Sequence, residues 1–264
     1  MASLTHSVRR FLRGGTGVLV FLVAGEVLGR IGLVDRGYLP PSSAVLARTA
    51  GLVADAGFRQ DVAATLEVWA AGLLIALLIA VPGGLLLGSL PVVNSAVRVL
   101  VEFLRPIPAV ALIPLVILIV ADQRQMQRDL AAYAALWPIL LNTIYAVGDV
   151  DPGTRDMARS FGLSGPAILA RIALPSAAPF IATGTRVASA IALVVTVSTE
   201  LIAGGGEHGI GIFVLNASAD AGHADVVFAA AAIAGLLGYA IDLALRTVER
   251  RVFRWHFQRL AVPA

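Results

Sequence analysis

The segment Asp151–Pro175, DPGTRDMARSFGLSGPAILARIALP, is the longest polar-studded stretch in an otherwise oily chain, with apolar runs on both sides. Asp151-Pro152 reads as a helix start: a carboxylate caps free N–H groups, and proline fits the first helical position. Arg155, Asp156 and Arg159 fall on one side of the short helix that follows, while Met157 and Phe161 stand four apart on another. Gly162 stands where a chain leaving a helix often needs a left-handed residue. Ser164-Gly165-Pro166 then opens a second short helix with Ile168 and Ile172 again four apart, and Pro175 marks the start of the next apolar run. Two short helices joined at a glycine corner predict a surface presented to a partner.

The whole chain sets the context of that surface. It is 58% hydrophobic and 14% charged, with a mean hydropathy of +0.85, whereas a soluble domain carries roughly a quarter charged residues. This is membrane composition. Without cysteine there are no disulfides and no thiolate metal sites. His6, His208, His223 and His256 form no i, i+4 pair, so no metal site is implied. All 20 basic residues are arginine, and a phosphate-binding P-loop needs a lysine, so the chain has no ordinary site of that kind. The pI of 9.9 does not indicate nucleic acid, because the arginines lie at the ends of apolar runs, where they set topology.

A bilayer core needs roughly 20 apolar residues per helix. Runs at about 15–34, 62–90, 96–120, 129–148, 177–203 and 224–247 meet that length, which predicts an all-α polytopic membrane protein with about six spans. The first run follows Arg9, Arg10 and Arg13 but has no evident small-x-small cleavage site, so a retained helix is expected rather than a signal peptide. Within it Glu26 and Arg30 are spaced for a helical ion pair. Ser42 and Ser43 are placed to cap a short interfacial helix after Pro40-Pro41. Six spans put Arg9–Arg13, Arg98, Arg105, Arg155, Arg159, Arg171 and the tail from Arg246 to Arg259 on one side. Arg30, Arg36, Arg48, Arg59, Arg124 and Arg128 fall on the other. The arginine-rich side is expected to be cytoplasmic, with both termini and the Asp151–Pro175 segment. This gives a cytoplasmic segment 1–14, one transmembrane domain 15–249 with the loop 149–176, and a basic tail 250–264.

Several polar or helix-breaking residues inside the apolar runs are candidates for a pathway. Arg105, Pro106 and Pro108 interrupt the third run, which reads either as a kinked packing helix or as one lining a path. Asn142 in the fourth run needs hydrogen-bond partners and suits helix–helix adhesion or solute contact. Glu200, in the fifth, is a functional candidate or a snorkelling charge near the outer end. Arg186 lies fourteen positions before it on the same face, about 21 Å away. That is too far for a pair, so Arg186 is expected to brace the Asp151–Pro175 element from the cytoplasmic end. Gly204-Gly205-Gly206 reads as a flexible external turn.

Asp156-Met157-Ala158, three residues, Gly162, nine residues, then Ile172-x-Leu174-Pro175 resembles the EAA motif of permease subunits of bacterial binding-protein-dependent ABC importers. It departs from E-A-A-x3-G-x9-I-x-L-P at its first two positions. Leu39-Pro40-Pro41-Ser42, Phe103–Pro108, Pro138–Thr143, Thr183-Gly184-x-Arg186, Glu200-Leu201, Gly209-Ile210-Gly211 and Glu249-Arg250-Arg251 are similar to landmarks of the nitrate/sulfonate/taurine-type branch. The turn Ala121–Asp129 diverges from the family's glycine- and lysine-containing one.

The resemblance implies a permease in the cell inner membrane that works as a homodimer with two ATPase subunits and a periplasmic or lipid-anchored substrate-binding protein. ATP and magnesium would be bound by the ATPase. No cofactor, catalytic residue or ATPase site is expected on this chain. Asp156, Met157, Ala158, Phe161, Gly162, Ile172, Leu174 and Pro175 would form a coupling helix between spans four and five. The solute would be a small anion such as nitrate, a sulfonate or taurine, although relatives with a similar scaffold carry pyrimidine vitamin precursors. The alternative is a stand-alone ion-driven transporter or a membrane-embedded enzyme. Against it, Asp149, Asp151 and Asp156 do not resemble a metal–phosphate motif, and no internal repeat is evident.

Overall fold

The computed structural model describes residues 2–31, 38–204, 206–219 and 223–254, with side chains from Gly15 onward. Among them there is no strand. Four helices are long and apolar enough to cross a bilayer: α3 (Ala56–Ser89), α6 (Gln123–Gly148), the continuous helix Gly165–Ala203, and α11 (Ala224–Val252). Helix α4 (Pro91–Leu104) and the segment Ala109–Ile119, which ends in α5 (Ile113–Ile119), make a fifth if counted together, but they bend by 79°. The interruption expected in the third run is thus a break at Arg105–Pro108. The first expected span falls in α1 (Ala2–Ile31), which is not in this long apolar set.

Helix α1 meets the short helix α2 (Ser42–Ala54) through Glu26. Its carboxylate pairs with Arg30 at 2.6 Å and accepts hydrogen bonds from the Ser43 backbone N–H (2.8 Å) and hydroxyl (3.0 Å). The expected ion pair thus forms, but the cap of α2 comes from Glu26 rather than from Ser42 or Ser43. An acid at a helix N-terminus satisfies donors that have no partner within the helix.

Helix α6 is the centre of the bundle. Of its most apolar window 61% is buried, against 22–39% for the other spans. Lipid gives helices little hydrophobic reason to associate, so close packing of small residues must do so. A Cβ at Gly84 would lie 2.5 Å from Thr143 Cβ, and one at Gly88 would lie 2.8 Å from Val147 Cβ. Ala76, Ala80, Ala131, Ala135, Ala188 and Ala192 extend this close contact through α3, α6 and the helix beyond it. The Trp69 indole N–H donates to the Ser189 carbonyl at 3.0 Å and ties α3 to the same helix.

Replacing Gly84 with leucine should overpack the α3–α6 crossing, at a cost of about 1–3 kcal/mol. The check is thermal unfolding of the detergent-solubilised protein, with Gly15→Leu, which meets nothing within 4 Å, as the control expected to stay near the parent value.

Candidate translocation groove and coupling element

Helix α7 (Pro152–Ser160) begins as its sequence predicts. The Asp151 carboxylate accepts from the Thr154 N–H at 2.8 Å and from its hydroxyl at 3.0 Å. The Thr154 backbone N–H holds that carboxyl below its ordinary pKa, so the cap is present at neutral pH and is lost only as pH falls through this lowered value. At the other end Gly162 has φ +79°. Its N–H donates to the Arg159 carbonyl (2.9 Å) and the Leu163 N–H to the Ala158 carbonyl (3.1 Å), the paired bonds of a Schellman ending.

Met157 and Phe161 are 62% and 79% exposed, while Ala158 between them is buried. Asp156 pairs with Arg159 at 3.0 Å on the exposed rim. Arg155 does not join that rim. Its guanidinium donates to the Val147 carbonyl in the last turn of α6, where a cation complements the helix dipole.

The second short helix, α8 (Gly165–Ile168), does not stop at Pro175. It continues through a π-turn over Leu169–Ala173 into α9 (Leu174–Ala203). Ile168 is buried, and Ile172 packs against the cluster of Ala146, Val147, Val150, Ala173 and Ala177. Those isoleucines, and half-buried Leu174, serve packing within the chain rather than the exposed face; Pro175 is exposed. Of the four apolar knobs expected to face a partner, Met157 and Phe161 remain.

The exposed side of α6 lines three adjoining cavities of about 720, 520 and 560 Å³, all touching Tyr145. They form one groove between α6, α4 and α9. Arg105 and Leu141 border the first two, Pro106 the second, and Asn142 the first and third. Asn142 donates through Nδ2 to the Pro138 carbonyl at 2.7 Å, and its Cβ would lie 2.9 Å from a Cβ at Gly184. That bond stays within α6, so the contact with α9 at this point is close packing against Gly184, while Asn142 also lines the groove.

At the α4 break, Pro108 has no N–H for the Leu104 carbonyl. The Tyr133 hydroxyl supplies a donor at 2.7 Å, alongside the Ile107 N–H at 3.1 Å. A side chain of α6 thus stabilises the elbow. Pro108 itself precedes the 3₁₀ turn Ala109–Leu112.

Glu200 borders none of the three cavities. It is 1% exposed and accepts from the Thr65 hydroxyl (2.9 and 3.0 Å) and the Gly211 N–H (2.8 Å). Thr65 accepts in turn from the Ile210 N–H at 2.9 Å, and Asp61 from the Gly209 N–H at 3.1 Å. This network fastens α10 (Ile210–Ala219) to α3 and α9. A Cβ at Gly209 would lie 2.7 Å from the Glu200 carboxyl carbon, and one at Gly211 2.6 Å from Glu200 Cβ. Glu200 therefore belongs to a sealed junction of α3, α9 and α10, apart from the three cavities.

Arg186 is re-assigned. It pairs with Glu249 at 3.1 Å and Asp242 at 3.6 Å, and Thr183 donates to Glu249 at 2.8 Å. The brace runs to α11, not to α7.

Residues 72–254 match the family model described as the binding-protein-dependent transport system inner membrane component. The chain belongs to this family. The permease is 34% identical over 184 residues to a putative ABC transporter permease of Methanocaldococcus jannaschii, covering 70% of this chain and 68% of that one. It is 28% identical over 243 residues to the taurine transport system permease of Escherichia coli K12, covering 90% and 87%. It is also similar in fold to a chain from an inward-facing MetNI methionine ABC transporter, with a TM-score of 0.61 at 20% identity over 81% of this chain and 98% of that one. These comparisons bear out an ABC importer permease with an all-α, multi-pass membrane fold.

Sequence reasoning about the permease missed Asp61, Thr65, Tyr133, Tyr145 and Asp242. Asp61 and Thr65 are four apart in the first turns of a span, a spacing that puts both on one helix face. Asp242 is an acid inside an apolar run, the same signal that singled out Glu200. Tyr133 and Tyr145 become informative only once the bend of α4 is known.

A sealed junction and a path group make different demands on Glu200. Glu200→Gln should keep thermal stability and solute uptake close to the parent, because its amide oxygen still accepts from Gly211 and Thr65. Glu200→Ala should lose about 1–3 kcal/mol by leaving those donors buried and unpaired. A glutamine variant that stays folded but no longer transports would return Glu200 to the pathway.

Proposed function

We propose that the groove along α6 is one half of the translocation path, completed by a second copy of this chain, and that α7 docks on a separate ATPase subunit. One observation carries this reading: the element bearing Met157 and Phe161 is joined to both helices that wall the groove. Arg155 ties it to the end of α6, and the short Gly162 turn leads from it directly into the helix Gly165–Ala203 that carries α9.

Apolar knobs inside a charged rim suit a protein partner better than lipid or water. ATP binding would close the two ATPases. The push on α7 would reach α6 through the Arg155 tether and α9 through the Gly162 turn, switching the groove from one side of the membrane to the other. The free energy comes from the partner, which holds ATP and magnesium; this chain, without lysine, supplies no ordinary nucleotide site of its own. The loop 149–176, the segment 1–14 and the tail 250–264 then face the cytoplasm, and the opposite side receives a periplasmic or lipid-anchored binding protein. Asp156, Ala158, Gly162, Leu174 and Pro175 shape the coupling element rather than form its apolar contact.

The named relatives include permeases for taurine, aliphatic sulfonates, nitrate and bicarbonate. A small solute bearing an anionic group is the class they have in common, and we assign that class to this permease.

Phe161→Asp should place a charge at the centre of the docking face and cost about 2 kcal/mol of association, roughly a thirtyfold loss in affinity. The ATPase subunits should then be lost during purification, or their hydrolysis should no longer respond to solute-loaded binding protein. Retention of both after this substitution overturns the docking assignment.

A further inference from the structure

Arg98 and Glu102 face the second cavity as a closed pair at 2.7 Å. Asp149 borders the third. Arg105 borders the first and second, and among the ion pairs of the described residues it takes part in none. A guanidinium has five N–H donors and stays charged. Lining a groove without an opposite charge, such a group offers those donors to an anionic solute.

The backbone holds this arginine in place. Its N–H donates to the Val101 carbonyl at 3.0 Å, and the preceding Leu104 carbonyl is held by Ile107 and Tyr133. The elbow is therefore fixed at the point where it presents Arg105 to the groove. The adjacent wall adds Tyr145 and Asn142, which hydrogen-bond but carry no charge.

We propose that Arg105 is the anion-binding group of the groove, contacting the oxyanion of a carboxylate, sulfonate or similar solute through its planar fork. This rests on the groove being the path. One cation with no second charge locked against it attracts an anion without trapping it, as passage requires. The same oxyanion chemistry occurs in lipid phosphate headgroups, so the experiment must separate a passing solute from a resident lipid.

The chain has no cysteine, so Leu141→Cys, on the same two cavities as Arg105, gives this subunit a single thiol. In the detergent-solubilised complex with its ATPase, that thiol is modified with sulfonatoethyl or trimethylammonioethyl methanethiosulfonate and followed by the mass of this chain. The ratio of anionic to cationic rates should fall about tenfold on adding Arg105→Gln, and Arg105→Lys should restore it. An unchanged ratio overturns the proposal. Nanodiscs of phosphatidylcholine should preserve the effect; its loss there alone assigns Arg105 to headgroup phosphate and also overturns it. Trapping the complex with ATP and vanadate should change both rates. A charge effect that persists while both rates ignore the trap retains the anion site and removes the groove from the alternating path.

Discussion

Lipid offers no hydrogen bonds to a peptide group and little hydrophobic incentive for two helices to meet. Everything in this chain depends on how α6 answers those two constraints. Gly84 and Gly88 of α3 let its backbone come close, and Gly184 of α9 does so on the other side. Tyr133, from the same helix, donates to the carbonyl exposed where α4 breaks. Helix α6 is therefore both the bundle's packing centre and the partner that allows a bent segment to exist beside a groove.

The polar groups divide by the work they do. Glu200, Thr65 and Asp61 fasten the start of α10, while Arg186, Glu249 and Asp242 join α9 to α11. These charges are spent within the chain. Arg105 and Asn142 stand on the open face instead. Depth in the sequence's apolar runs does not separate the two groups; the difference lies in which neighbours the helix bend and rotation bring to each.

That distinction explains what could be read in advance. Helix α7 follows from local chemistry: the Asp151 cap, proline at the first position and Gly162 at the corner all act within a few residues. The interruption at Pro106 and Pro108 was equally legible, because proline removes donors whatever surrounds it. The continuation beyond Pro175 was not, since a π-turn bridges two segments that each look finished. Nor was the role of Glu200, whose partners are more than a hundred residues away in Thr65 and Asp61's helix or across a glycine turn. Ile168 and Ile172 have the spacing of an exposed apolar stripe, yet tertiary packing claims them for the bundle.

The unbroken helix Gly165–Ala203 has a mechanical consequence. Its 39 residues make a rod about 58 Å long, and Gly184, which packs against Asn142 and the Pro138 carbonyl, stands at the midpoint. Two arms of about 28 Å extend from that point. A tilt of about 5° around it would displace each end by roughly 2.5 Å, in opposite directions, by the same helix geometry. A see-saw balanced in this way narrows one mouth of a channel as it widens the other, with no change in the crossing itself.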